Sequence, residues 1–379
     1  MPGASNRYVR NSIMTGISCE RCHGPAAQHV DFHSSHPDEN SPKHIVMPAS
    51  LNRQQQLDLC NQCHSNATHR KQPSFSYRPG ETLTDYFRLD QEPRPEHGHT
   101  ANHAQFLAKS ACFSDGSMTC ATCHNPHIIE GQDNSASAKA SCLVCHETHN
   151  CSKRPDLPAA VQDQCLDCHM PSSRVMNIHV ETADDEFMPV LRRREHRIGI
   201  YPAAAEKVLL DWLRTQPDKA SSQQAGAKAA SLIAARLKAA TDLEQKHRYL
   251  AAMGELYNAA EIGENDDVNA NLARLKSTER TQRLKLKEAL GLMEQSHTSE
   301  AIELFNEVIE HQPSNAVALG KLGAALAITE RMPEALERLQ QAADADPDDP
   351  YGYSMLGWLN YLDGRHEVAV EHFQHARQI

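Results

Sequence analysis

Apolar residues follow two regimes along this chain, and the change comes near residue 202. Before it, leucines, valines and aromatics are scattered without a period among His, Cys, Pro and Ser, so only short elements are expected. Residues 52–60 read as a short helix with Leu51, Leu57 and Leu59 as its apolar positions, and residues 103–110 as one or two helical turns. Residues 24–48 read as a loop, residues 128–140 as a polar connector, and residues 171–202 as irregular chain. Pro155 and Pro158 forbid one continuous helix between residues 142 and 169. From Pro202 onward the spacing turns helical. Val208, Leu209, Trp212 and Leu213 define an amphipathic helix over 203–213, with Pro202 suited to its start. Residues 215–225 read as a polar linker, and two or three helices follow to about residue 278.

Over the last hundred residues the apolar pattern recurs with a period of 34. Leu319, Leu322, Gly323, Leu326, Ala335, Leu339, Ala342 and Pro347 make one copy. Tyr353, Leu356, Gly357, Ala369, Phe373 and Ala376 stand one period later, and Ala289, Leu292, Ala301, Phe305, Val308 and Pro313 one period earlier. This is the spacing of the tetratricopeptide repeat, in which small residues let paired helices approach closely and proline ends the second helix. Tyr249 to Tyr257, with Met253 and Gly254, reads as the first helix of a degenerate earlier repeat. The organisation expected is a first domain over 1–202, a helical connector over 203–280 and repeats over 281–379.

The first domain is set by one five-residue pattern, Cys-x-x-Cys-His, present five times. The pairs are Cys19 and Cys22, Cys60 and Cys63, Cys120 and Cys123, Cys142 and Cys145, and Cys165 and Cys168; the histidines are His23, His64, His124, His146 and His169. Two thiols at this spacing add to the two vinyl groups of one haem, and the adjacent histidine then reaches the iron. Zinc is the competing reading, because Cys-x-x-Cys is half of a zinc ribbon. Histidine is 23 of 379 residues, so its chance occurrence after all five pairs is roughly one in a million. Zinc sites also match such pairs two by two, and five is odd. The expectation is five covalently attached haem c groups, with those histidines as proximal ligands. Aromatic content is only 5%, so porphyrins would supply the core that a domain of this size otherwise lacks. The fold class expected is mostly α with extensive irregular structure, a haem-cored multihaem cytochrome c domain followed by an all-α tetratricopeptide-repeat solenoid.

Residues 1–202 hold all 12 cysteines and 17 of the 23 histidines, leaving 12 histidines beyond the proximal set. A second imidazole opposite the first gives a six-coordinate haem suited to passing electrons. The candidates are His29, His44, His103, His127, His149, His179 and His196. His127 is too close to His124 to reach the same iron, so a neighbouring haem is expected for it. His97 and His99 read as exposed loop, and Met47 or Met118 as alternative ligands. Cys112 and Cys151 are left over and are expected to form a disulfide. Arg192, Arg193 and Arg194 read as a solvated face or as partners of haem propionates.

Net charge is −11, divided as −3 before residue 203 and −8 after it, which makes nucleic acid an unexpected partner. No stretch approaches the roughly 18 apolar residues of a membrane span. Residues 1–6 do not begin a signal peptide. Since thioether attachment takes place outside the cytoplasm, the expectation is a periplasmic or otherwise extracytoplasmic protein, whose sequence reads as a mature chain or as one lacking its native amino end.

Gly16 to Pro25, Leu59 to His64, Phe75 to Gly80, Thr119 to His127 and Cys165 to Pro171 together resemble the blocks of the cytochrome c554-like multihaem cytochromes, in the subset with C-terminal tetratricopeptide repeats. The resemblance implies an electron carrier whose haems relay electrons between redox partner proteins while the repeats dock a protein or peptide. Two alternatives accompany it: a multihaem oxidoreductase acting on a small nitrogen or sulfur compound at one open haem, and a subunit of an oligomeric assembly or filament. Nitrite reductases of the wider superfamily often carry lysine at the catalytic haem, whereas all five motifs here end in histidine, and no catalytic residue is assigned. A haem-free first domain is expected to be largely unfolded; circular dichroism showing a cooperative native-like transition there would contradict the haem core.

Overall fold

The computed structural model describes residues 17–65, 67–73, 75–89, 102–128, 135–146, 156–176, 180–181, 186–187, 191–347 and 349–378. The chain divides into two compact units: Met1–Pro93, Thr100–Asn150 and His196–Ile198 form one, and Arg94–His99, Cys151–Glu195 and Gly199–Ile379 the other.

In the first unit, α1 (Glu20–His23), α2 (Ala27–Ser35) and α3 (Arg53–His64) are followed by strands β1 (Ala67–Arg70) and β2 (Phe87–Leu89), then α4 (His103–Leu107), α5 (Ala111–Asp115) and α6 (Ser135–Cys145). Helix α3 starts at a capping box, in which the Asn52 side chain accepts from the Gln55 N–H and the Gln55 side chain accepts from the Asn52 N–H. The buried Asp58 carboxylate then accepts from Gln54 and from the Leu83 N–H, fixing the segment that leads into β2. Strands β1 and β2 are antiparallel, pairing Arg70 with Phe87. Among the described residues the apolar cluster of this unit is small, Leu57, Leu107 and Phe113 with Met118 and Ile198 packed against it, and Leu59, Leu83 and Phe106 are buried besides. Two expectations change. Residues 24–48 contain α2 rather than only loop, because histidine, although polar, is an acceptable helix residue. Residues 135–140 of the expected connector are helical, since Ala136, Ala138 and Ala140 favour that state.

The second unit begins with α7 (Cys165–His169) and an antiparallel ribbon of β3 (Ser172–Arg174) and β6 (Arg192–Arg194), with β4 (Val180–Glu181) paired to β5 (Glu186–Phe187) between them. Residues 171–202 are therefore not wholly irregular: the partner of each β3 residue lies about twenty positions away, where local pattern does not reveal it. Helices α8 (Pro202–Arg214), α9 (Lys219–Gln245), α10 (Tyr249–Ala260) and α11 (Asp266–Glu294) follow, then α12 (Thr298–His311), α13 (Ala316–Ile328), α14 (Met332–Ala345), α15 (Pro350–Leu362) and α16 (His366–Gln378). The expected linker over 215–225 is helical from Lys219, because Asp218 caps α9 by accepting from the Ser221 N–H, and Ala225 is buried. Helix α11 runs unbroken through residues 280 and 281, the expected border between connector and repeats. The fifth Cys-x-x-Cys-His falls in this unit and not with the other four.

Two clusters form its core. Leu210, Leu213, Ile233, Met253, Leu256, Val268 and Leu275 join α8 to α11, and Ala289, Phe305, Leu322, Leu339 and Leu356 join α11 to α15. Glycine sets how closely the repeat helices approach: a Cβ on Gly323 would lie 2.6 Å from Leu339 Cγ and 3.1 Å from the Ala335 carbonyl. Gly323→Ala is therefore expected to destabilise the protein by about 1–3 kcal/mol, seen as a lower midpoint in thermal or urea unfolding, whereas Gly291→Ala, with open space around it, is not.

Candidate functional site

His23, at the end of α1, is held by a reciprocal backbone clamp. Its Nδ1 lies 2.9 Å from the Val46 carbonyl oxygen while the Val46 N–H donates to the His23 carbonyl at 2.9 Å. Gly24, with φ of +78°, makes the turn that follows. His169, at the end of α7, is held the same way: Nδ1 is 2.8 Å from the Gly199 carbonyl oxygen, and the Gly199 N–H returns a bond of 3.2 Å. A carbonyl only accepts, so the proton sits on Nδ1 and the Nε2 lone pair is left to bind a metal. His29 has a similar restraint, Nδ1 to the Lys43 carbonyl at 2.8 Å.

Further histidines are brought to the motif histidines of the first unit in pairs. The rings of His23 and His127 have centroids 6.1 Å apart at 28°, and those of His124 and His196 are 6.3 Å apart at 19°. Two imidazoles sharing one metal, each with a nitrogen about 2 Å from it, have ring centroids roughly 6 Å apart. His64 and His103 are 5.4 Å apart, and His103 lies 4.0 Å from His196. His196 reaches this place because the Ile198 N–H donates to Ser110 Oγ at 2.8 Å. Pairs are what an iron porphyrin needs, since the macrocycle supplies the other four nitrogens. Among the described residues no group of three or more His, Cys, Asp or Glu is arranged to hold a metal ion.

The cysteines of different motifs also converge. Cys60 and Cys120 are hydrogen-bonded to each other, and that bond, followed by burial, holds the Cys60 thiol well above its ordinary value. Burial pushes Cys22 up, with Cys60, Cys63 and Cys19 adding to it, and burial pushes Cys123 up, with Cys142, Cys112 and Cys145 adding to it. Gln62, inside the second motif, donates to the carbonyl of Arg21, inside the first, at 3.2 Å. Arg53, in the first turn of α3, donates to the carbonyls of Met118 at 2.9 Å and Phe113 at 2.6 Å and lies 4.0 Å over the Phe113 ring. It thereby ties the helix of the second motif to the approach of the third. Buried polar atoms here include Tyr77 Oη, both amide atoms of Asn102 and His33 Nε2, none with a hydrogen-bond partner among the described residues. Such atoms cost about 1–3 kcal/mol each unless something pairs with them. A carboxylate can accept from the Tyr77 hydroxyl, Asn102 Nδ2 or His33 Nε2, but not satisfy Asn102 Oδ1, which itself accepts.

Other sequence candidates are placed differently. His44 has its ring 5.4 Å from Phe32, and His29 has its ring 4.6 Å from His33. His149, His179, His97, His99 and Cys151 lie outside the described residues. Arg192 is ion-paired with Glu261 at 2.5 Å and Arg194 with Asp167 at 2.9 Å, so carboxylates of the protein itself hold two of the three arginines assigned to solvent or propionates. Sequence reasoning missed Val46, Gly199 and Lys43, which contribute only backbone carbonyls, and Arg53, which reads as an ordinary helix-start cation.

Residues 292–359 match the tetratricopeptide-repeat family. The chain is 40% identical over 72 residues to a TPR repeat-containing protein of Pseudomonas aeruginosa, a match covering 19% of this chain and 12% of that protein's length. Among solved structures, MamA from Desulfovibrio magneticus is 20% identical with a TM-score of 0.24, over 38% of this chain and 93% of that one. The TPR2AB domain of yeast Sti1 in its pHSP90 complex is 14% identical with a TM-score of 0.25, over 46% and 77%. The carboxyl-terminal helices are tetratricopeptide repeats, a class that presents extended surfaces for docking proteins. Among the described residues no helix is long and apolar enough to cross a membrane.

Arg53→Ala is expected to lower stability by about 2–4 kcal/mol, the loss of two charged hydrogen bonds and a ring contact. Arg53→Lys should fail to restore it, because one ammonium does not reproduce the forked geometry; unfolding midpoints of the three proteins check this.

Proposed function

We propose that this chain is an extracytoplasmic multihaem c-type cytochrome that relays electrons between redox partner proteins, docking one of them through its repeats. The five cysteine pairs would hold five haem c groups by thioether bonds, with His23, His64, His124, His146 and His169 as proximal ligands. Iron cycling between its ferrous and ferric forms supplies one-electron transfer. The observation that carries the reading is the five Cys-x-x-Cys-His motifs, supported by the approach of further imidazoles to the motif histidines, His127 to His23 at 6.1 Å and His196 to His124 at 6.3 Å between ring centroids. His103 lies 5.4 Å from His64 and 4.0 Å from His196. The carbonyls of Val46 and Gly199 orient His23 and His169 and keep their Nδ1 protons in place. At the irons these pairs would serve, histidine on both sides would leave no place for substrate, which favours a carrier over an oxidoreductase.

Pyridine haemochrome analysis of the exported, matured chain is expected to give five haems per polypeptide. His127→Ala or His196→Ala should each open one further haem of the reduced protein to carbon monoxide. A colourless chain with zinc or free thiols at the motifs overturns the haem assignment. Stoichiometric binding and turnover of nitrite by the unaltered protein overturns the carrier.

A further inference from the structure

Ser110 occupies a helix-capping position, and its side chain does not cap. It precedes α5 with an extended backbone, φ of −92° and ψ of 133°, where a serine hydroxyl ordinarily accepts from an N–H of the first turn. The Ser110 carbonyl does serve that turn, accepting from the Phe113 and Ser114 N–H groups at 3.1 and 3.2 Å, but the hydroxyl makes no capping bond. It accepts instead from the Ile198 N–H at 2.8 Å, across 88 residues. Ser110 is 1% exposed, so water does not offer the same bond in exchange.

That bond ends two residues from a candidate ligand. His196, Arg197 and Ile198 group with the first unit, whereas Glu195 and Gly199 group with the second, so this tripeptide depends on ties of its own. The Ser110 bond is one, and the Ile198 side chain, packed against Leu57, Leu107 and Phe113, is another. The His196 ring then lies 6.3 Å from that of His124, at 19°, and 4.0 Å from that of His103. A hydroxyl given up by one helix is thus used to place an imidazole beside the histidine of the third motif.

We propose that Ser110 is a positioning residue for His196, its hydroxyl holding the Ile198 amide so that the imidazole stays facing His124 as second axial ligand of the iron that the third motif would hold. This rests on the electron-relay reading. A hydrogen bond of this kind corresponds to roughly a three- to tenfold change in an equilibrium. Loss of the hydroxyl therefore raises the fraction of molecules with His196 withdrawn by about that factor, and an external ligand competing for the position gains the same factor in apparent affinity. The start of α5 is unaffected, because the hydroxyl takes no part in its cap.

Carbon monoxide titration of the reduced, matured full chain tests it. His196→Ala should open one haem to the gas. Ser110→Ala should bind carbon monoxide at the haem with that same difference spectrum, roughly three- to tenfold more tightly than the unaltered protein. Ser110→Thr, which keeps a hydroxyl, should return the affinity towards the unaltered value, and Ser114→Ala, which removes the neighbouring hydroxyl, should leave it unchanged. Melting curves show whether each variant is folded; if threonine is not accommodated, the comparison of Ser110→Ala with Ser114→Ala decides. An affinity unchanged in Ser110→Ala, or raised equally in Ser114→Ala, overturns the proposal while leaving His196 a ligand. So does a folded Ser110→Thr that binds as Ser110→Ala does. An unfolded Ser110→Ala overturns it as well, since the hydroxyl would then hold the whole unit and not one imidazole. If His196→Ala opens no haem, the ligand assignment itself fails, and the proposal with it.

Discussion

An imidazole is steered by whatever holds one of its ring nitrogens, and for His23 and His169 that anchor is main chain. Val46 fixes His23 across 23 residues and Gly199 fixes His169 across 30. In both cases an amide returns the bond, so ring orientation is tied to the pairing of two backbone segments and not to a side chain that can rotate away. The same economy governs the rest of the first unit. Ser110 brings in His196, Gln62 links the first two motifs, and Arg53 links the second to the third. Each tie is polar, joins residues distant in sequence, and ends beside a motif.

The second unit rests on different physics. Its helices bury two large aliphatic clusters and meet through glycine and alanine, whereas the cluster among the described residues of the first unit is small. A chain built this way separates tasks. One half offers closely spaced thiols and imidazoles and little apolar interior of its own, and the other offers a rigid surface for docking. The ribbon after the fifth motif follows the second pattern: Arg174 lies 3.8 Å over Tyr257, and Met176 packs on the cluster that joins α8 to α11.

What is legible in the sequence is what depends on short spacing. The five motifs and the helix after Pro202 stand within a few residues of their own signal, and the 34-residue period is legible because its short pattern recurs. What is illegible depends on distance or on atoms shared by every residue. No pattern marks Val46 or Gly199 as an acceptor, because every residue has a carbonyl. The β3–β6 ribbon leaves no local signal because its strands are three residues long and far apart, and α2 leaves little because a run of histidines resembles a loop in composition. His127 shows the boundary between the two kinds of signal. Its proximity to His124 keeps the two rings from facing one another on sequence alone, but only the folded chain brings its ring to His23.

Helix α11 joins both clusters of the second unit, burying Val268, Leu272 and Leu275 in one and Ala289 in the other. Its 29 residues correspond to a rod of about 43 Å at 1.5 Å per residue. Since no break interrupts it, torque applied at the repeats is carried into the α8–α10 bundle instead of being absorbed by a hinge. The last helices are thus joined to that bundle by a stiff boom and not by a tether, and the span between the two clusters is set by the length of one helix.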